Sequence, residues 1–295
     1  MNRLVTKDKK PIIIASSGSL SHDGLGWEGP ERLMVKRNII PINEFDYRVG
    51  KTITLEQIPG STLEIAKRVR PIWFGAINAV ALKNHGARWF VDAILPNLGE
   101  SANTFMPSIH GTPLELATMT QMIESSGADI GGYQINYSCP NVGNNPKTAD
   151  LLIRSFCEVA DRTNKPVSVK FSVVFDRKMV EPFYRALGDQ VLFTEINSIP
   201  FALVYPGRKS PLAKYGGGAV SGRPAQEMNW QYATFLSSLT SGSIIWPGIW
   251  SSIDAFRALE RGAHGISMAS VFMQMPWRPK FIIRDTRRRL SRLEH

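Results

Sequence analysis

Short runs of β-branched and aliphatic residues recur along the chain, separated by stretches with helical spacing. The runs are Ile12–Ser17, Tyr47–Leu55, Ile72–Val80, Thr104–Ile109, Tyr133–Ser138, Val167–Val173, Leu192–Ser198, Ile244–Trp250 and Gly265–Val271. Several are apolar at nearly every position, as strands covered on both faces should be. Between them, Leu114–Ser125 follows Thr112 and Pro113, an N-cap and a first-turn proline. Ala149–Thr163 runs into Lys165-Pro166, which stops a helix, and Ser252–Arg261 has Gly262 just beyond it, where a left-handed cap sits. The last stretch, KFIIRDTRRRLSRLEH, predicts a closing amphipathic helix with arginines on its wet face. Strand and helix alternate often enough to predict a parallel sheet with helices outside it.

The count of runs and a length of 295 residues favour one domain over residues 1–295, an α/β (β/α)8 TIM barrel with inserted loops over its C-terminal face. Such barrels take roughly 250 residues. An open doubly wound sheet is the alternative. A barrel carries its chemistry at the C-terminal ends of its strands. Several runs end there in polar residues: Asn78, the segment Asn136-Tyr137-Ser138-Cys139-Pro140-Asn141, Lys170 and Asn197-Ser198. Polar groups converging at one barrel mouth predict a ligand site.

Composition narrows the class. Hydrophobic residues make up 43% of the chain, enough for a large core. No apolar run approaches the roughly 18 residues that cross a bilayer, and Ile12–Ala15 is too short for a signal peptide. A soluble, cytoplasmic protein without a membrane partner is expected. Two cysteines (Cys139, Cys157) and five histidines without ligand spacing predict no metal site. The formal charge of +10 gathers in basic residues at both ends. We read these as a solvated surface rather than a nucleic-acid site.

Two glycine motifs carry little. Gly24-Leu25-Gly26-Trp27-Glu28-Gly29 has the dinucleotide spacing, but it does not directly follow a strand and Pro30 comes next, so a loop is expected. Gly50-Lys51-Thr52 lacks the P-loop's earlier glycine, since Phe45 stands there. Cys139 says more. It follows a strand, precedes a proline and has Asn136, Ser138 and Asn141 around it in sequence. A thiol, with an ordinary pKa of about 8.5, can act as a general base when its thiolate is favoured. Cys157, in an apolar helical pattern, reads as a small core residue.

Asn136-Tyr137-Ser138-Cys139-Pro140-Asn141 resembles the N-x-S-C-P-N loop of the class 1 dihydroorotate dehydrogenases. The likeness continues in order. Gly50–Glu56 resembles the family's K-S/T-x-T-x-E segment, Asn78–Leu82 its N-S-M-G-L, Val169-Lys170-Phe171 its flavin lysine strand and Glu195-Ile196-Asn197-Ser198-Ile199 its N-S-I. Gly216–Gly222 is similar to the following glycine-rich stretch, and Ile244–Ala258 with Gly262–Ser270 to the phosphate-gripping strands.

The resemblance implies an FMN oxidoreductase that oxidises (S)-dihydroorotate to orotate in pyrimidine (UMP) biosynthesis. Cys139 would be the base, Lys170 would lie at the flavin pyrimidine edge, and hydride would pass to flavin N5. Asn78, Asn136, Asn141, Asn197 and Ser198 would hydrogen-bond the substrate. The backbone at Val80, Ala81 and Leu82 would hold its carboxylate, with Lys51 close by. FMN would meet Ala15, Ser16, Gly18, Lys51, Thr52, Asn136, Lys170 and Ile196, and its phosphate Gly222, Gly248, Ile249, Ala269 and Ser270. A homodimer is expected on the same ground. The acceptor is open between fumarate, in the same pocket, and NAD reached through an iron–sulfur subunit. Two cysteines cannot build a four-thiolate cluster in this chain. The chain departs from the family at Val80-Ala81 and at Ile249, whose side chain could narrow the phosphate cradle. That keeps a related FMN enzyme for another pyrimidine or an enone as the alternative, with a Schiff-base lyase built on Lys170 behind it.

Overall fold

The computed structural model describes residues 10–60, 62–137 and 147–293. Cys139 and Asn141 therefore lie outside the described residues. The strands, in chain order, are β1 (Ile12–Ala15), β2 (Tyr47–Val49), β3 (Val69–Ile72), β4 (Gly75–Asn78), β5 (Phe105–Met106), β6 (Ser108–Ile109), β7 (Tyr133–Asn136), β8 (Val167–Phe171), β9 (Val191–Ile196), β10 (Ile199–Pro200), β11 (Ala219–Gly222), β12 (Ile245–Trp246) and β13 (Gly265–Met268).

Nine of these form two parallel arcs, in the orders β12-β13-β1-β2-β5 and β6-β7-β8-β9. β5 and β6 are halves of one run broken at Pro107, which has no N–H to give a ladder. Parallel bridges stand at both seams: Ile53 pairs with Ile109, and Thr194 pairs with Ile244 just before β12. Taking β5 and β6 as one strand, the arcs follow the strand order of a TIM barrel. Side chains from five strands of the two arcs (Ile14, Val49, Met106, Phe193 and Ile245) pack together as a separate apolar cluster. The arcs meet through it in the interior.

Helices cover the outside. Pro113–Ser125 starts with a full capping box, Thr112 accepting from the Glu115 N–H and Glu115 accepting from the Thr112 N–H. Thr148 caps Ala149–Ala160 by accepting from the Leu151 N–H, and Ser251 caps Ser252–Glu260 by accepting from the Asp254 N–H. Gly262 follows that helix at φ 99°, as its place beyond the last turn predicted. Between helix and sheet, Phe183 meets Tyr137, Phe156 and Phe171 edge-on.

One predicted strand is corrected. Ile72–Val80 is not a barrel strand: β3 and β4 form an antiparallel hairpin, extended by β11 and β10 in the order β10-β11-β4-β3. The hairpin turn is made by Trp73, 84% exposed, and Phe74 at φ 52°. Nothing in an apolar Ile-Trp-Phe run announces a reversal, because the usual turn residues are missing. Likewise Gly265–Val271 divides, β13 ending at Met268 and a short helix starting at Ser270.

Candidate active site

A cavity of about 800 Å3 opens where the C-terminal ends of the barrel strands meet the antiparallel sheet. That volume suits a cofactor with a small substrate, since ligand pockets run roughly 300–1,000 Å3. β1 delivers Ser16, Ser17 and Gly18; the segment after β2 delivers Lys51 and Thr52; β7 gives Asn136, β8 Lys170 and β9 Ile196, with Asn197 and Ser198 just beyond. The turns after β12 and β13 bring Gly248, Ile249, Ala269 and Ser270. The antiparallel sheet closes the other side with Asn78, Val80, Ala81, Leu82 and Gly222. Of the predicted site residues that are described, Ala15 alone stays off the cavity wall, buried in the main core.

Hydrogen bonds tie the polar wall together. Asn136 Nδ2 donates to Thr52 Oγ1 at 3.0 Å, and that hydroxyl also meets Ser108 Oγ at 2.8 Å and Ser17 Oγ at 3.2 Å. Asn197 Nδ2 reaches Asn136 Oδ1 at 3.5 Å, and the Asn136 carbonyl accepts from His110 Nδ1 at 2.7 Å. Burial lowers the His110 pKa, against the pull of that carbonyl bond and of Glu115. Lys170 pairs with Asn136 on one side and Glu195 on the other across three parallel strands. Its Nζ lies 3.6 Å from Glu195 Oε2. At the cavity's outer wall, burial pushes the Glu31 carboxyl up to about 7, opposed by the Trp27 N–H that it accepts.

Several supports carried no clear sequence signal. Asn84 holds the Val80–Leu82 turn: its Nδ2 donates to the Leu82 carbonyl at 2.6 Å, and its Oδ1 accepts from the Gly86 N–H at 2.7 Å. Asp254 accepts from the Trp250 N–H at 2.9 Å and from Arg223 at 3.1 Å, and Gln226 Nε2 donates to the Gly248 carbonyl at 2.7 Å. These fix the turn after β12. Ile249 packs into the main core, so its side chain need not crowd the turn as the sequence suggested. The Gly24–Gly29 loop is held down by Arg48, whose Nη1 donates to the Gly24 carbonyl at 3.0 Å. The Arg32–Asp23 ion pair adds a second tie.

Ala81 sits at φ 56°, in the left-handed region. That conformation costs a residue with a Cβ roughly 1–2 kcal/mol, and glycine's extra chain entropy gives back roughly 0.4–1. Ala81→Gly is therefore expected to raise stability by up to about 1 kcal/mol. A lower urea midpoint than wild type would rule this out.

His22 lies behind Lys51, buried against Trp89 at 5.2 Å and Trp27 at 5.9 Å, with Nε2 lacking any partner. Burial first, then Lys51 and His85, hold its pKa down to about 3 against an ordinary 6.5. The folded chain thus refuses a proton that the unfolded chain takes. The contribution is intact above the unfolded pKa and is lost as pH falls toward the folded one. Going from about pH 7 to about pH 5, the wild type should lose about 2 kcal/mol through this group, a loss that His22→Asn should not share. Urea unfolding of both proteins at the two pH values measures it, and identical pH dependence would refute it.

The dihydroorotate dehydrogenase family profile matches residues 34–291. The catalytic subunit of a dihydroorotate dehydrogenase B (NAD(+)) from Oceanobacillus iheyensis is 26% identical over 220 residues, 71% of each chain. A probable dihydroorotate dehydrogenase A (fumarate) from Streptococcus pneumoniae is 32% identical over 134 residues, 43% of this chain and 42% of that one. The solved structure of dihydroorotate dehydrogenase from Eimeria tenella in complex with ferulenol superposes with a TM-score of 0.67 over 95% of this chain and 80% of its own, at 14% identity. That last likeness concerns the fold, and it agrees with the barrel order of the strands. With a family match over most of its length and relatives of both the A and the B type, the chain belongs to the dihydroorotate dehydrogenase family of oxidoreductases, in its class 1 branch.

Proposed function

We propose that the protein oxidises (S)-dihydroorotate to orotate in this cavity, with FMN as resident cofactor and Cys139 as general base. One observation carries the reading: amide, lysine and glycine positions from six barrel strand ends and from the antiparallel sheet line the same cavity. Its wall has two characters. Asn78, Asn136 and Asn197 offer the donors and acceptors that a planar pyrimidine needs. The other side offers glycine turns at Gly222 (φ 88°) and Gly248 (φ 83°), where backbone can approach a phosphate closely.

The residues present suit FMN. At Gly222 an added Cβ would collide with Phe74, Gly75 and Ser270, which keeps that wall smooth. Two buried polar atoms on the cavity wall, Asn229 Oδ1 and Ser267 Oγ, have no hydrogen-bond partner among the described residues. Gly222, Gly248, Ile249, Ala269 and Ser270 would hold the phosphate, and Ser16, Gly18, Thr52, Lys170 and Ile196 would flank the ring system. When bound, FMN supplies a hydride acceptor at N5 of its ring.

The chain's own residues do the rest. Cys139 takes the proton from substrate carbon 5 while hydride departs from carbon 6. Asn136 and Asn197, braced on each other and on Thr52, hold the substrate ring in one orientation. The Val80–Leu82 backbone and Lys51 hold its carboxylate. Lys170 places positive charge where negative charge develops on reduction. The electron acceptor is open between fumarate, which would enter the same cavity, and NAD reached through a partner chain, since relatives of both types are matched.

The test is the colour of the protein. FMN-loaded protein is mixed with dihydroorotate without oxygen, and the oxidised flavin absorbance is expected to bleach within one turnover. Flavin that stays oxidised would sink the substrate assignment. The strained Ala81 backbone in the carboxylate turn favours a second reading, an FMN enzyme for another pyrimidine or an enone. Bleaching by such a compound, and not by dihydroorotate, would establish it.

A further inference from the structure

Glu195 is 0% exposed, in the interior of the barrel. A lone carboxylate there would be costly, so its partners show what it is held for. Three donors surround it. Ser16, from the end of β1 across the barrel, donates its hydroxyl to Oε1. Gln134 Nε2 donates to Oε2 at 2.8 Å. Lys170 Nζ stands 3.6 Å from Oε2.

Resting on the flavin reading above, we propose that Glu195 is the positioning residue for Lys170 and that it sets the reduction potential of the bound flavin by offsetting the lysine's charge. The geometry favours such an indirect role. Glu195 is absent from the cavity wall, whereas Lys170 is part of it. At 3.6 Å the contact is a charge contact more than a hydrogen bond. The ammonium therefore keeps N–H donors for whatever fills the cavity. Ser16 and Gln134 fix the carboxylate, and the carboxylate fixes the cation.

The electrostatic consequence follows from charge balance. A bare ammonium beside the flavin favours the anionic reduced form strongly in a site sheltered from water. A carboxylate fixed behind it turns the single charge into a short dipole, whose field fades faster with distance. Glu195 thus holds the flavin potential below the value that Lys170 alone would impose. The hydride acceptor is kept weak enough to be reoxidised by its next partner.

The experiment compares FMN-loaded wild type, Glu195→Asp and Glu195→Gln, each reduced slowly in the presence of a reference dye. Asp keeps the charge but withdraws it from Lys170; Gln removes it. The potential is expected to rise in the order wild type, Asp, Gln. The Gln protein should show at least a tenfold higher reduced-to-oxidised ratio at a fixed ambient potential, which is about 30 mV for a two-electron couple. A Gln protein at the wild-type potential, or an Asp protein above Gln, overturns the proposal. Should Gln fail to fold or to hold FMN, Asp decides alone: a potential above wild type supports the role, and one equal or lower overturns it. Wild-type protein that takes up no FMN overturns the flavin reading itself, and this role with it. Flavin that binds with an unmoved potential overturns only the role of Glu195.

Discussion

Cys139→Ala is expected to bind FMN with an unchanged spectrum and yet to reduce it with dihydroorotate about 10²- to 10⁴-fold more slowly, the range a positioned general base contributes. Carbon 5 must surrender a proton as carbon 6 surrenders hydride. Without the thiolate, only water is left to take that proton. Neither Asn136 nor Asn197 can accept it, being neutral amides already engaged with each other. Single-turnover bleaching under anaerobic conditions isolates the step from reoxidation. Full flavin occupancy in the variant separates lost chemistry from lost binding. A rate within threefold of wild type would remove Cys139 from the mechanism.

The second large effect concerns shape. Gly222→Ala would place a Cβ 2.4 Å from the Phe74 carbonyl oxygen, 2.6 Å from the Gly75 Cα and 2.8 Å from Ser270 Oγ, at φ 88°. Two of these three neighbours are backbone, so they cannot swing aside. Backbone conformation and overpacking together should cost about 3 kcal/mol or more, with FMN affinity falling alongside. Gly29→Ala is the matched control: its φ is 94°, but its Cβ would meet nothing within 4 Å. Only the conformational cost of roughly 1–2 kcal/mol should appear there. Urea midpoints of the two variants measure the difference, and equal losses would show that the contact around Gly222 yields freely.

The barrel was legible because its strands are buried on both faces, so β-branched and aromatic residues recur in short runs even where, as in β7 (Tyr-Gln-Ile-Asn) and β8 (Val-Ser-Val-Lys-Phe), polar residues alternate with them. Their polar ends, Asn136 and Lys170, pointed to the cavity for the same reason: a buried run has no other use for such groups. The hairpin of β3 and β4 was not legible. Its turn at Trp73 and Phe74 is apolar, and β11, its partner, lies more than a hundred residues further along the chain. Glu195 stands beside the N-S-I segment, but a single charge between Thr194 and Ile196 carries no role of its own in the sequence. Its meaning depends on Ser16 and Gln134, which nothing in the local pattern connects to it. Asn84 escaped notice likewise, since its four side-chain hydrogen bonds join Leu82 and Gly86 beside it to Thr54, far upstream in the chain.

The antiparallel sheet assembled from β10, β11, β4 and β3 divides labour in the molecule. On the proposed reading, the barrel supplies Lys170 and the carboxylate behind it, which act on the charge of the flavin, while the added sheet and its flanking turns supply Asn78 and Val80 to Leu82, which meet the substrate. Substitutions at Asn78 or in the Val80–Leu82 turn should then change which molecule is admitted without touching Lys170 or Glu195, whereas Gly222, from the same sheet, stays tied to the cofactor. A lineage that drifts at these few turn positions would explore new reactants while Lys170 and Glu195 are inherited unchanged.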